Sequence, residues 1–122
     1  MKTVLLIEDS TDIRENVCEM LWLAGYEAIF AVDGKAGLAL AIEKRPDIIL
    51  CDIMMPEMNG YEVFEGLKDD AGTIDIPFVF ITASVEKKEI EIGIAMGAKG
   101  YIRKPFTGPE LFDVVDGCFA VK

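Results

Sequence analysis

The chain contains no histidine among its 122 residues, and this absence excludes two common kinds of functional site. No imidazole of its own can serve as a general base, and zinc sites with histidine ligands are ruled out. Cysteine is also scarce: Cys18, Cys51 and Cys118 are odd in number, widely spaced and set in apolar surroundings. We expect these thiols to be small core residues in a reducing cytoplasm, not disulfides or metal ligands.

Positive charge is scarce as well, since 12 lysines and arginines stand against 22 aspartates and glutamates, for a net charge of −10. Phosphate backbones and anionic membranes repel such a chain, so we expect no direct binding to nucleic acid or to a membrane. Long apolar runs are missing too, because no segment approaches the roughly 20 residues of a membrane span. The apolar stretch after Met1 runs straight into Glu8 and Asp9, and we interpret it as a core strand and not as a signal peptide.

The chain does contain a fivefold alternation of apolar, strand-like runs with helical patterns. The strands are predicted at residues 4–7, 27–32, 47–51, 77–81 and 100–103, and the helices at about 10–24, 35–43, 60–68, 86–96 and 109–119. The second helix is expected to have a core-facing stripe among Ala36, Leu38, Ala39, Leu40 and Ile42. This alternation predicts one α/β domain, residues 1–122, with a doubly wound parallel sheet and helices on both of its faces.

Polar residues follow all five predicted strands, with Asp33 after the second, at the edge where such sheets carry their sites; a crevice at the other four ends would collect acids, a hydroxyl and a lysine. Glu8 and Asp9 follow the first strand, Asp52 the third, Thr82 the fourth and Lys104 the fifth. Each has a structural explanation when taken singly, because Asp9 could cap a helix, Asp52 could cap a turn, and Lys104 could be a solvated surface charge. Their joint position at successive strand ends favours a shared site.

The chemistry of these side chains suits phosphoryl transfer. The carboxylates of Asp9 and Asp52, with Glu8 nearby, suit an oxygen-ligated Mg²⁺ ion that keeps several waters. One carboxylate can also act as the nucleophile toward phosphorus, since aspartyl phosphates are known covalent intermediates. The metal, the Lys104 ammonium and the Thr82 hydroxyl can then neutralise the oxygens of the transferred group.

With these residues the chain resembles the receiver domains of response regulators from two-component signalling, over essentially its whole length. The motifs are Glu8-Asp9, Asp52 followed by Met55-Pro56, Thr82-Ala83, and Lys104-Pro105-Phe106. The resemblance implies a flavodoxin-like sheet of five strands in the order 2-1-3-4-5, flanked by five helices. It also implies a switch that receives its phosphoryl group from a sensor histidine kinase or a histidine phosphotransfer protein, and that then alters its binding to a downstream protein.

By the same resemblance, Asp52 accepts the phosphoryl group, and Glu8, Asp9 and Asp52 bind Mg²⁺ together with the backbone carbonyl of Met54. Glu8 stands where the family often has an aspartate, which lengthens one arm of the acid pocket. Met54 and Ser84 flank the path of a hydrolytic water, so we expect them to set the lifetime of the phosphorylated state, in a direction that the sequence leaves open.

The resemblance implies further roles on the neighbouring strand ends. Thr82 would sense the phosphoryl group and Lys104 would pair with it. Tyr101 matches the aromatic switch position of the family, which swings inward as Thr82 moves toward the phosphoryl group. The bond between Lys104 and Pro105 is expected to be cis, which few X–Pro bonds are in folded proteins.

The predicted fourth helix is unusually apolar, with Ile90, Ile92 and Ile94 at every second position. A helix cannot turn all three inward. One interpretation is a wide buried stripe with one partly exposed isoleucine. The other is that Ile90 or Ile92, beside Tyr101, forms a docking patch on the face of helix four, strand five and helix five. The partner at such a patch would be a downstream protein or a second copy of the chain.

Two other functions compete with the switch. A Mg²⁺-dependent phosphatase with an aspartate nucleophile usually has a second aspartate two residues later, where this chain has Met54. A flavodoxin-like or nucleotide-binding module needs a Gly/Ser/Thr-rich phosphate loop after the first strand, where this chain has Glu8 and Asp9. We therefore expect a receiver that catalyses only its own phosphorylation and dephosphorylation, either alone or as part of a longer regulator.

Overall fold

Ten alternating strands and helices make up the computed structural model, which describes residues 1–83 and 86–119. The strands are Thr3–Ile7 (β1), Glu27–Ala31 (β2), Ile48–Asp52 (β3), Phe78–Thr82 (β4) and Gly100–Arg103 (β5). The helices are Thr11–Leu23 (α1), Gly34–Lys44 (α2), Gly60–Lys68 (α3), Lys87–Met96 (α4) and Gly108–Phe119 (α5). All strand pairs are parallel, in the order β2-β1-β3-β4-β5. The predicted fold class and strand order are confirmed.

The three central strands are buried on both faces, which explains their continuous apolar sequences. Successive side chains of a strand point to opposite faces, so the core divides into two layers. One layer joins the sheet to α2 and α3, and it includes Leu5, Ile7, Ile49, Phe78, Phe80, Val63, Phe64 and Leu67. The other joins the sheet to α1 and α5, and it includes Val4, Leu6, Leu50, Val79, Val17, Leu21, Leu111 and Val115.

The core-facing side of α2 agrees in part with the predicted stripe. Leu38 and Leu40 pack against the core, but the buried residues are Gly34, Gly37 and Ala41, and Ile42 is exposed. A Cβ atom at position 37 would lie 2.5 Å from Cδ1 of Ile7, so the glycine lets the helix backbone approach β1 closely. A hydrophobicity pattern gives glycine little weight, and this is why the predicted stripe lacks Gly34 and Gly37.

The cysteines are free thiols, as predicted. Cys18 and Cys51 are buried in the core, while Cys118 on α5 is only half-buried. Burial raises the pKa of each thiol, most strongly for Cys51, where the charges of Asp52 and Glu8 add to the effect. Thiols with raised pKa values are poor nucleophiles, so a structural role fits them.

None of the helices in the described part of the chain is both long enough and apolar enough to cross a membrane.

Candidate functional site

The carboxyl ends of β1, β3, β4 and β5 meet at one edge of the sheet. The strand register places Ile7 beside Cys51, and Asp52 beside Ile81. Asp52 is the last residue of β3, and the strand ends one position later than predicted. The hydrogen bonds between β3 and β4 continue to this point, since the Ile53 N–H donates to the Ile81 carbonyl at 3.0 Å. Thr82 likewise ends β4, and it is buried.

Three carboxylates cluster at this edge. One oxygen from each of Glu8, Asp9 and Asp52 lies within 4.8 Å of the other two. Glu8 is completely buried with 0% exposure, Asp52 is also buried, and Asp9 is exposed. The helix-capping explanation for Asp9 is wrong, because the N-cap of α1 is Ser10, whose side chain accepts from the Ile13 N–H.

Lys104 bridges two of these carboxylates. Its Nζ lies 2.9 Å from Oε1 of Glu8 and donates to Oδ2 of Asp52 at 3.2 Å. Only 18% of its side chain is exposed, so the explanation of Lys104 as a solvated surface charge is wrong. Burial lowers the pKa of Lys104, but its contacts with Glu8 and Asp52 outweigh burial and raise the pKa above its usual value. The ammonium group therefore stays charged at neutral pH.

The two carboxylate oxygens of Glu8 have different environments. Oε2 accepts from the backbone N–H of Ser10 at 3.1 Å. Oε1 is buried and accepts no hydrogen bond within residues 1–83 and 86–119, and the Lys104 ammonium 2.9 Å away is its ion-pair partner. A buried, half-satisfied anionic oxygen is a ligand atom for which a hard cation can compete.

The pKa of Asp9 is raised from its ordinary value. Although Asp9 is exposed as a whole, partial loss of water around its carboxyl group is the largest cause, and the neighbouring Glu8 carboxylate raises the pKa further by hydrogen bonding and repulsion. Closely spaced carboxylates of this kind suit Mg²⁺, which takes oxygen ligands and retains waters. The donor set of Glu8, Asp9 and Asp52 therefore fits the metal ion that the sequence implied.

The remaining predicted residues surround this cluster. The Lys104–Pro105 peptide bond is cis, as expected, and the Lys104 N–H donates to the Thr82 carbonyl at 2.7 Å. Ala83 is exposed beside Thr82, and the Met54 side chain is exposed beside Asp52. Ser84, which was expected to flank the hydrolytic water, lies outside the described residues.

The face formed by α4, β5 and α5 differs in part from the predicted docking patch. Every residue of α4 is described, and Gly93 alone is buried among them. Ile92 is 45% exposed and Ile94 is 48% exposed, so the interpretation with one partly exposed isoleucine is wrong. A groove of about 820 Å³ lies on this face, and its lining includes Ile94, Tyr101, Val114 and Cys118. Ile90 is half-buried, and neither it nor Ile92 lines that groove.

Sequence reasoning missed two residues that shape the site. Gly60 lies against the backbone of Asp52, since a Cβ atom at position 60 would stand 2.6 Å from the Asp52 carbonyl oxygen. Arg14 donates to the carbonyls of Glu8 and Asp9, the first two residues after β1. The Asn59-Gly60 pair predicts a turn, but it does not show that Gly60 touches the backbone of Asp52. An arginine in the first turns of a helix opposes the helix dipole, but this does not show which groups it binds.

Comparison with known proteins places these features in a family. The model of the response regulator receiver domain matches residues 4–116. The chain is 39% identical over 110 residues to the phosphate regulon transcriptional regulatory protein PhoB of Pseudomonas aeruginosa, covering 90% of the chain and 48% of that protein. It is 38% identical over 111 residues to the DNA-binding dual master transcriptional regulator RpaA of Synechocystis, covering 91% of the chain and 46% of that protein. The chain thus spans about half the length of these relatives.

Solved structures agree with this placement. The chemotaxis protein CheY4 of Vibrio cholerae superposes with a TM-score of 0.92 at 33% identity, covering 97% of this chain and 98% of that one. The non-phosphorylated HemR receiver domain of Leptospira biflexa superposes with a TM-score of 0.89 at 25% identity, covering 100% and 97%.

Proposed function

The chain belongs to the response regulator receiver domain family, and from that membership we propose that Asp52 is the residue on which it accepts a phosphoryl group. The role of the family is that of a phosphorylation-activated switch in two-component systems. The observation that carries the assignment is the ion pair between Lys104 and Asp52, in a buried pocket that also holds Glu8. Glu8 shares the burial and the contact with Lys104, but Asp52 is the last residue of the central strand β3 and the acid that the family resemblance assigns as phosphoacceptor.

The transfer needs a nucleophile, a leaving group and neutralisation of charge. A carboxylate oxygen of Asp52 attacks the phosphorus of a phosphohistidine on the partner, because the chain has no histidine of its own. The phosphorus–nitrogen bond breaks and the imidazole nitrogen keeps the electron pair, which leaves an aspartyl phosphate at position 52. Lys104 already lies 3.2 Å from Oδ2 of Asp52, so its ammonium is placed to neutralise an oxygen of the transferred group.

The proposed metal ligands are Glu8, Asp9, Asp52 and the backbone carbonyl of Met54. When bound, Mg²⁺ would neutralise charge on the phosphoryl oxygens. The buried Oε1 atom of Glu8, which accepts no hydrogen bond in the described part of the chain, and its closeness to carboxylate oxygens of Asp9 and Asp52 support this assignment. The enzyme-like activity that we propose is limited to the phosphorylation and dephosphorylation of the chain itself.

Phosphorylation would be communicated through Thr82 to the face that carries Tyr101. Thr82 is buried at the end of β4, next to the β5 strand that holds Tyr101, and the Lys104 N–H binds its carbonyl. We propose that Tyr101 changes its exposure when Thr82 engages the phosphoryl group, and that a downstream protein or a second copy reads this change. The sequence pattern proposes Ile90 and Ile92 as contact residues for this partner. Ile94 is added because it lines the groove on the same face.

The upstream partner in this proposal is a sensor histidine kinase or a histidine phosphotransfer protein. Direct contact with nucleic acid or a membrane is not part of the proposal, given the net charge of −10. The location in the cytoplasm, which was expected from the cysteines, stays a prediction.

The experiment is incubation with acetyl phosphate and Mg²⁺, followed by measurement of the intact protein mass. We expect one added phosphoryl group, lost in Asp52→Asn and lost when the metal is chelated. Asp33→Asn is the matched control, because Asp33 also follows a strand but caps α2 by accepting from the Ala36 N–H at 2.7 Å. Asparagine caps equally well, so this variant should be phosphorylated normally. Full phosphorylation of Asp52→Asn, or rapid turnover of diverse phosphate esters, would contradict the proposal.

A further inference from the structure

We propose that Arg14 is a positioning residue for the metal site: it holds the loop after β1 so that the side chains of Glu8 and Asp9 converge on one cation. This inference rests on the proposed function, because it concerns the metal site assigned there. It adds a residue that makes no contact with the metal in that assignment and acts only through the backbone.

The guanidinium group of Arg14 binds two backbone carbonyls of the loop after β1 and one hydroxyl group at the start of α1. Nη1 donates to the carbonyl of Glu8 at 2.9 Å and to the carbonyl of Asp9 at 3.1 Å. Nη2 donates to Oγ1 of Thr11 at 3.2 Å. A planar guanidinium can satisfy several acceptors in one fixed geometry, which the single ammonium of a lysine cannot reproduce.

A second set of contacts fixes Arg14 from the side of the edge strand. Its guanidinium carbon lies 5.5 Å from the centre of the Phe30 ring on β2, within the range of a cation–π contact. The loop is tied to the same strand, because the Glu8 N–H donates to the Ala31 carbonyl at 3.1 Å. Arg14 therefore connects the loop, the first helix and the edge strand into one unit.

The placement of this charge argues for a specific role. Arg14 is the fourth residue of α1, where the positive end of the helix dipole disfavours a cation. Within residues 1–83 and 86–119 it forms no ion pair with any carboxylate. It binds the carbonyl oxygens of Glu8 and Asp9 and leaves their carboxylate oxygens to other partners, of which Lys104 is one.

The two possible roles of Arg14 predict opposite changes in Mg²⁺ affinity when its side chain is removed. If Arg14 acted only as a nearby positive charge, its removal would strengthen the binding of Mg²⁺. If it positions the loop, its removal weakens binding although a repulsive charge is gone. Groups behind the ligands of a metal site typically change affinity by about 10- to 100-fold when they are replaced.

The test measures Mg²⁺ affinity by isothermal titration calorimetry on the full chain, at a temperature where urea unfolding shows every variant to be folded. We expect Arg14→Met, which keeps the aliphatic stem, to bind Mg²⁺ about tenfold more weakly than the wild type. Arg14→Lys keeps the charge and loses the planar guanidinium group, so we expect its Mg²⁺ affinity to be weakened as well. Lys35→Met is the charge control: Lys35 is exposed on α2, and its loss should leave affinity unchanged or slightly raised.

A second readout separates positioning from damage to the fold. With acetyl phosphate as donor, the rate for Arg14→Met should recover toward the wild-type rate as Mg²⁺ is raised, because only metal affinity has changed. Equal or tighter Mg²⁺ binding by Arg14→Met, while the wild type binds normally, would overturn the role of Arg14 and leave the proposed function intact. Failure of the wild type to bind Mg²⁺ would overturn both.

Discussion

The ammonium nitrogen of Lys104 lies 2.9 Å from a buried carboxylate oxygen of Glu8, and this pairing connects the ends of β5 and β1. The same nitrogen reaches Asp52 on β3. Lys104 thus holds two acids in place before any metal or phosphoryl group arrives, and it competes with a metal ion for the same oxygens.

Replacement of Lys104 should separate its stabilisation of the two buried acids from its competition with a metal ion. Lys104→Met leaves two buried acids without their cation, so we expect the free energy of unfolding to fall by about 3 kcal/mol without metal. Because the competing ammonium is gone, added Mg²⁺ should restore more stability in this variant than it adds to the wild type. Urea unfolding with and without Mg²⁺ measures both. Lys44→Met, which breaks the exposed 3.8 Å pair with Glu43, is the control and should change stability very little.

Gly60 should be intolerant of any side chain. In Gly60→Ala the new methyl group would lie 2.6 Å from the carbonyl oxygen of Asp52, so either α3 or the end of β3 must move. We expect a loss of about 1–3 kcal/mol in the free energy of unfolding and slower phosphorylation by acetyl phosphate. In Gly117→Ala on α5 the methyl group meets nothing within 4 Å, and a gain of about 0.5–1 kcal/mol is expected there. Equal effects of the two substitutions in urea unfolding would refute this view of position 60.

Glu57 carries backbone strain in the loop between β3 and α3. Its φ of 67° lies in the left-handed region, where a side chain costs about 1–2 kcal/mol. We expect Glu57→Gly to raise the free energy of unfolding by about 1 kcal/mol, after the added freedom of the unfolded chain is subtracted. Glu65→Gly, at an exposed position within α3, should instead lower it by about 1 kcal/mol. Destabilisation of both variants in thermal or urea unfolding would show that the loop at position 57 is not strained.

Tyr26 should titrate late and weaken the fold at high pH. Its pKa is raised from 10.0 to about 12, first by burial and then by the hydrogen bond to Asp116 and the charge of that carboxylate. The folded state therefore keeps the phenol protonated where the unfolded chain loses its proton, so the contribution to stability is present below pH 10.0 and is lost as the pH rises through about 12. Ultraviolet absorbance of phenolate should show a late transition that Tyr26→Phe removes. Its persistence in that variant would assign the late transition to another tyrosine.

Much of the site followed from local patterns in the sequence. Apolar runs alternating with helices place all strand ends at one edge of a parallel sheet, so the convergence of Glu8, Asp52 and Lys104 was predictable. The strand boundaries were displaced by a single residue at Asp52 and at Thr82, because a hydrogen-bond ladder can continue past the last apolar residue. The strand order and the cis peptide bond came from the family resemblance and not from periodicity.

The rest depends on contacts between distant segments. Nothing local shows that Gly60 touches the backbone of Asp52, or that Arg14 binds the carbonyls of the preceding loop. On α4 the close contact is made by Gly93 against Phe80, so the neighbours Ile92 and Ile94 lie to either side of the packing line and stay exposed. Hydrophobicity alone could place the isoleucines in the core or in the docking patch, because it does not show that α4 packs on the sheet through Gly93.

The most direct test of the central claim is chemical identification of the phosphorylated residue. The chain is phosphorylated with acetyl phosphate and Mg²⁺, and the acyl phosphate is reduced with borohydride, which converts a phosphorylated aspartate to homoserine. Peptide mass spectrometry then locates the homoserine. The account predicts homoserine at position 52 and unaltered aspartate at position 9, while modification at Asp9 or elsewhere, with Asp52 intact, would contradict it.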